Sequence, residues 1–195
     1  MQKKEKKIDS RIIRSKRDLA NALEELLQEK NLDDISITEI TDRALVSKNT
    51  FYNNFSDKGD LLNFLFDRYS EAMETEIDKI VNANLEDEKK ALFECDKLIV
   101  HFFYGSKLSF ERIVKNDKSR TLYWAMNDFI KEIVKKLIKK YSLISDMDIP
   151  SNLVGYMCSG AFSNMIYYMY SEDTRISEED CTKYLYEIMT RQLLG

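Results

Sequence analysis

The chain has one proline and five glycines in 195 residues. A sheet of several strands needs turn residues at each reversal, and so few breakers cannot supply them. Leu, Ile, Lys and Glu are abundant instead, so the composition predicts an all-α protein long enough to bury a real core. Histidine occurs once, at position 101. From one imidazole, neither a multi-histidine metal site nor a paired Glu-x-x-His di-iron bundle can be built within one chain. No Gly-rich loop is present to cradle a phosphate, and no Ser or Cys stands in a nucleophile motif. These absences argue against an enzyme, and no metal or other cofactor is expected. Cys95, Cys158 and Cys181 are widely spaced and odd in number. That pattern fits no disulfide framework or zinc spacing and leaves buried small hydrophobes or redox sensors. No apolar run reaches the roughly 18 residues of a membrane span, and no apolar signal region follows the basic N-terminus. A cytoplasmic protein without a membrane partner is expected.

What is present is unevenly distributed. The formal charge is −4 overall, yet residues 1–17 hold eight Lys or Arg against two acids. The sign at that end suits DNA. Residues 1–9 read as a basic arm, either a solvated tail or one that follows the DNA backbone or minor groove.

The most informative stretch runs from Ser36 to Leu62. Ser36 with Glu39 three residues on has the form of a capping box, opening a helix that carries Ile37, Ile40 and Ala44 on one face. Ser47 is the next N-cap. Ala44-Leu45-Val46 leaves room for a tight turn, and a second helix from Lys48 to Asn54 places Phe51 and Phe55 at i, i+4. Two short capped helices with this spacing predict a helix-turn-helix. In such a unit the second helix enters the DNA major groove with its N-terminal residues near base edges, and the first crosses the backbone. The outer side of the second helix offers Lys48, Asn49, Thr50, Tyr52, Asn53 and Asn54, groups able to address bases and phosphates.

Val46-Ser47-x-x-Thr50-Phe51-Tyr52-x-x-Phe55-x-x-Lys58-x-x-Leu61 resembles the signature of the TetR family of bacterial transcriptional regulators, roughly V-S-x-x-T-[LF]-Y-x-[HY]-F-x-[SN]-K-E-x-L. The resemblance covers about the first third of the chain. It implies that Thr50, Tyr52 and Lys58 touch phosphates and that Lys48, Asn49 and Asn53 approach bases. With the caps Ser36 and Ser47, these form the candidate DNA-binding set. Three positions depart from the family pattern. Leu45 replaces the usual turn Gly, Asn49 a small residue, and Asn54 a His or Tyr. Were the turn to need φ > 0, Leu45 would carry a strain of about 1 kcal/mol that Gly avoids.

Around this unit the periodicity predicts about nine helices. Asp9 or Ser10 opens a first helix to about Lys30, in which Ile12, Leu19, Leu23, Leu26 and Leu27 recur at helical spacing. Ser56 or Asp57 caps a long helix to about Asn84, with Gly59 as a flaw or hinge in its first turn. Further helices are expected from Glu86 to Gly105, over 108–115, from Ser119 or Thr121 to Tyr141, from Pro150 to Tyr170, and from Ser177. Lys131, Lys135, Lys136, Lys139 and Lys140 read as a solvated face or a second DNA patch. The division is therefore an N-terminal helix-turn-helix domain over 1–60 and a C-terminal helical bundle over 61–195.

His101, Phe102, Phe103, Phe110, Tyr123, Trp124 and Asn127 mix aromatic and polar groups. They read either as core with a structural histidine or as the lining of a pocket between helices. The family's habit of binding a small effector there points to the pocket, for an apolar or aromatic ligand. Gly155, Ser159, Gly160 and Ser163 would let another backbone approach, and with Tyr167, Tyr184 and Ile188 they form the expected dimer surface. The resemblance agrees, since its members pair their last two long helices. The combined reading is a homodimeric repressor that binds a palindromic DNA operator and is released by a small effector. The alternative is a regulator of the same fold whose C-terminal domain binds a protein.

Overall fold

The computed structural model describes residues 10–105, 120–141, 150–171 and 176–193. The expected helix over 108–115, Phe110 and the arm over 1–9 lie outside these. Eight α-helices occur among the described residues, with no strand: α1 (Ser10–Glu29), α2 (Ile37–Arg43), α3 (Lys48–Asn54), α4 (Lys58–Ala83), α5 (Glu88–Gly105), α6 (Thr121–Tyr141), α7 (Ser151–Ser171) and α8 (Glu178–Leu193). A short 3-10 turn, Leu32–Asp34, joins α1 to α2. The all-α expectation holds.

Local chemistry opens most of these helices. Ser36 Oγ accepts from the Glu39 N–H at 3.2 Å while Glu39 Oε2 accepts from the Ser36 N–H at 2.8 Å, closing the capping box. Ser47 caps α3, Asp57 caps α4, and Ser177 caps α8 through the Asp180 N–H at 3.0 Å. The cap of α4 is thus Asp57, whose Oδ1 accepts from the Asp60 N–H at 2.8 Å.

One apolar core runs through the chain. Its N-terminal part packs Leu19, Leu23 and Leu27 of α1 against Ile40 of α2, Phe51 of α3 and Leu61, Leu62 and Leu65 of α4. Because α4 is continuous from Lys58 to Ala83, its first turns belong to this bundle and its later turns pack on α5 and α6. The boundary expected at residue 60 therefore falls inside a helix. Further along, aromatic rings join four helices. Phe129 of α6 lies 5.5 Å from Phe66 of α4 and 5.3 Å from Phe102 of α5, and Phe103 lies 6.0 Å from Phe162 of α7. Tilted contacts at these separations are favourable beyond the area they bury. Helix α6 packs on α4 and α7, and α8 packs mainly on α5.

Candidate nucleic-acid interface

The two short helices are held from both sides. Arg43 at the end of α2 grips Glu29 of α1 with two guanidinium bonds of 3.0 and 3.1 Å and reaches Glu25 at 3.4 Å. Lys30 pairs with Glu39. That ammonium, with the Ser36 N–H and hydroxyl, holds the Glu39 carboxyl down at about 2. Phe51 and Phe55 are buried, fixing the inner face of α3. Lys48, Asn49, Tyr52 and Asn53 stand exposed on its outer side, and Ser36 and Ser47 are exposed at the helix starts.

The turn between α2 and α3 has two bonds that define a Schellman motif. The Leu45 N–H donates to Asp42 O at 3.2 Å, and the Val46 N–H donates to Thr41 O at 3.0 Å. Leu45 takes φ 54°, the left-handed conformation that glycine adopts freely. A leucine there carries a strain of about 1 kcal/mol. Its side chain is 92% exposed.

Three polar residues are engaged internally. Lys58 Nζ donates to Ile35 O at 2.6 Å and Leu32 O at 2.7 Å, with Asp33 O at 3.5 Å. The ammonium thus caps the carbonyls of the α1–α2 connection, a place different from the phosphate contact the resemblance implies. Asn54 Nδ2 donates back to Thr50 O at 2.7 Å, as fits its departure from the family pattern. Thr50 shares its hydroxyl with Ser47 Oγ at 2.9 Å.

Residues 19–64 match the family model of bacterial regulatory proteins, tetR family. That stretch is thus a TetR-family DNA-binding domain within the chain. The TetR-like fold extends over nearly all of it. A putative TetR-family transcriptional regulator from Syntrophomonas wolfei matches with a TM-score of 0.67 at 19% identity, over 93% of this chain and 95% of that one. RolR in complex with resorcinol gives 0.68 at 19%, over 94% and 89%. FadR from Bacillus subtilis in complex with stearoyl-CoA gives 0.54 at 16%, over 89% and 96%. At these identities the likeness is one of fold. Comparison with curated proteins finds no match.

Among the described residues, the side chains expected to line an effector pocket do not share one surface. His101 is exposed and its Nδ1 lies 2.8 Å from Glu178 Oε1 on α8, while Trp124 is 60% exposed. Phe103 is buried in the ring cluster, and Asn127 Nδ2 donates to Ser163 Oγ at 3.3 Å between α6 and α7. Tyr123 stacks edge-on with Tyr167 at 5.5 Å. Adjacent helical residues diverge by about 100°, so neighbours in sequence face different surroundings. Open clefts lie elsewhere. One of about 310 Å³ is lined by Glu74, Ile77, Asp78, Ile133, Lys136 and Lys139. Another, of about 410 Å³, is lined by Phe93, Lys97, Glu178, Glu179 and Thr182.

The expected dimer residues also divide. Gly155, Ser159 and Ser163 are buried, and a Cβ added at Gly155 would stand 3.2 Å from Lys135 Cγ of α6. Gly155 and Ser163 serve the α6–α7 contact inside the chain, and the Ser159 hydroxyl donates to Tyr156 O of its own helix at 3.1 Å. Around Gly160 a Cβ would meet nothing within 4 Å. Tyr184 and Ile188 are exposed on α8, as are Leu153, Tyr156, Met157 and Tyr168 on α7. The lysines of α6 are partly neutralised: Lys131 pairs with Asp128, Lys135 with Glu132 and Lys136 with Glu74. Each of these three ammonium groups is held in an ion pair.

Two buried features were not legible as sites. Asp96 on α5 is 2% exposed, and its Oδ2 has no hydrogen-bond partner among the described residues. Burial pushes its carboxyl well above the ordinary value. The three cysteines are buried, and burial pushes the Cys158 and Cys181 thiols up to about 11. Thiols that stay protonated are poor redox sensors. Among the described residues, no three His, Cys, Asp or Glu gather as metal ligands, and no helix is long and apolar enough to cross a membrane.

Proposed function

We propose that the chain is a cytoplasmic repressor that binds a two-fold-symmetric operator as a homodimer and leaves it when a small apolar or aromatic effector enters the C-terminal domain. The N-terminal domain, taken as 1–60, reads DNA, and the remainder, 61–195, senses and dimerises. The observation that carries this reading is α3, whose Phe51 and Phe55 are buried while Lys48, Asn49, Tyr52 and Asn53 are presented outward. Lys48, Asn49 and Asn53 address bases, and Ser36, Ser47, Thr50 and Tyr52 face the backbone. RolR and FadR, of the same fold, were crystallised with resorcinol and stearoyl-CoA, which supports the effector class. The exposed apolar residues of α7 and α8 support a dimer through those helices.

Selection from randomised duplexes followed by footprinting tests the proposal. An inverted repeat with half-sites one helical turn or a multiple apart is expected. Asn49→Ala and Asn53→Ala should change the preferred bases, whereas Tyr52→Phe should weaken all sequences alike. Were none of the three to alter binding, α3 would not be the reading helix. A true effector must also lower operator affinity, because only unequal binding to two states shifts their balance.

A further inference from the structure

We infer that Leu45 is a DNA contact, placing an apolar side chain at the rim of the major groove against a thymine methyl group. Two independent observations meet at this residue. Its backbone is held at φ 54°, where a leucine is strained and a glycine is not. Its side chain is 92% exposed, so no packing within the chain offsets that strain. Strained residues cluster where the strain serves a function. The position supplies one. Leu45 lies two residues before Ser47, the N-cap of α3, within about 7 Å along the chain. That end of a recognition helix is the end that meets base edges. The exposed polar groups beside it, from Ser47 to Asn49, read donors and acceptors. Thymine C5-methyl is the apolar feature of the major groove. A leucine at the turn adds an apolar contact, and with it a preference for thymine, beside the polar start of α3.

This inference rests on α3 being the groove-facing helix. The test uses the full chain and the duplex enriched by selection, with each thymine in turn replaced by uracil to delete one methyl group. For the wild type, one replacement per half-site should weaken binding about fourfold, the effect of one buried methyl. Leu45→Gly and Leu45→Ala should both bind more weakly than the wild type and lose the uracil effect. Leu45→Gly should also melt several degrees higher, which separates lost contact from lost fold. Asn53→Ala on the same duplex is the control. If Asn53→Ala weakens binding while Leu45→Gly binds as the wild type does and no uracil replacement matters, the inference is overturned and the α3 reading stands. If Asn53→Ala is also without effect, the α3 reading itself has failed.

Discussion

The ammonium of Lys58, in the first turn of α4, lies 2.6 Å from the carbonyl oxygen of Ile35, just ahead of α2. A single side chain thus ties the long helix to the turn that aims the helix-turn-helix. Because the cation satisfies the Ile35 carbonyl and adds a second bond to that of Leu32, which also accepts from the Ile35 N–H, Lys58→Met should cost about 1.5–3 kcal/mol of stability. On DNA the salt dependence should stay unchanged, in contrast to Lys48→Ala, which should reduce the slope by about one. Denaturant unfolding and salt-titrated binding check the pair. A lower slope for Lys58→Met with unchanged stability would return Lys58 to the phosphates.

Glu39 makes the α2 cap sensitive to acid. Its folded carboxyl titrates at about 2, below the ordinary 4.5, because Lys30 and Ser36 bond to the charged form. The contribution is therefore complete above pH 4.5 and fades as the pH falls toward 2. Glu39→Gln should melt lower than the wild type at pH 7 and converge with it near pH 2. Parallel melting curves across that range would show that the cap adds nothing.

Asp96 has the opposite sign. The unfolded carboxyl ionises near 3.8, while the buried one keeps its proton to higher pH. Stability then falls as the pH rises above 3.8, until the folded group ionises as well. Asp96→Asn should remove this slope and gain on the order of 1–3 kcal/mol at pH 8. Melting temperature against pH for both proteins measures it, and identical slopes would contradict the assignment.

The outer face of α7 tests assembly. Ala161 is exposed one residue beyond Gly160 and in line with Met157. If a second copy covers this face, Ala161→Glu buries an unpaired charge and should yield monomers at micromolar concentration where the wild type is a dimer. Sedimentation of the wild type as a monomer would remove this face from the proposed interface.

Local features were readable from sequence because their causes are local. The Ser36–Glu39 box, the Ser47 cap and the buried pair Phe51 and Phe55 each depend on residues within one helical turn. Leu45 was readable as the place where a left-handed turn would be strained, and φ 54° is found there. What escaped depends on how helices rotate against one another. Adjacency in the sequence groups His101 with Phe102 and Phe103, yet His101 turns to Glu178 while Phe103 turns to Phe162. Small residues at 155, 159 and 163 mark a close approach, but not whether the partner is α6 or another chain. The Lys58 bonds span 23 to 26 residues, beyond any local rule.

The outward position of Trp124 decides what the intrinsic fluorescence of this protein can report. It is the only tryptophan in the sequence. Sitting beside Tyr123, which in turn meets Tyr167 of α7, the indole faces solvent instead of the ring cluster. Its emission is therefore expected to be that of a hydrated indole and to respond to anything that covers that side of α6. Titrations with small apolar compounds would leave such a signal flat even where binding occurs in the interior. If a second copy covers that side, dilution through the association range should shift this emission, and an unchanged spectrum would place the contact elsewhere.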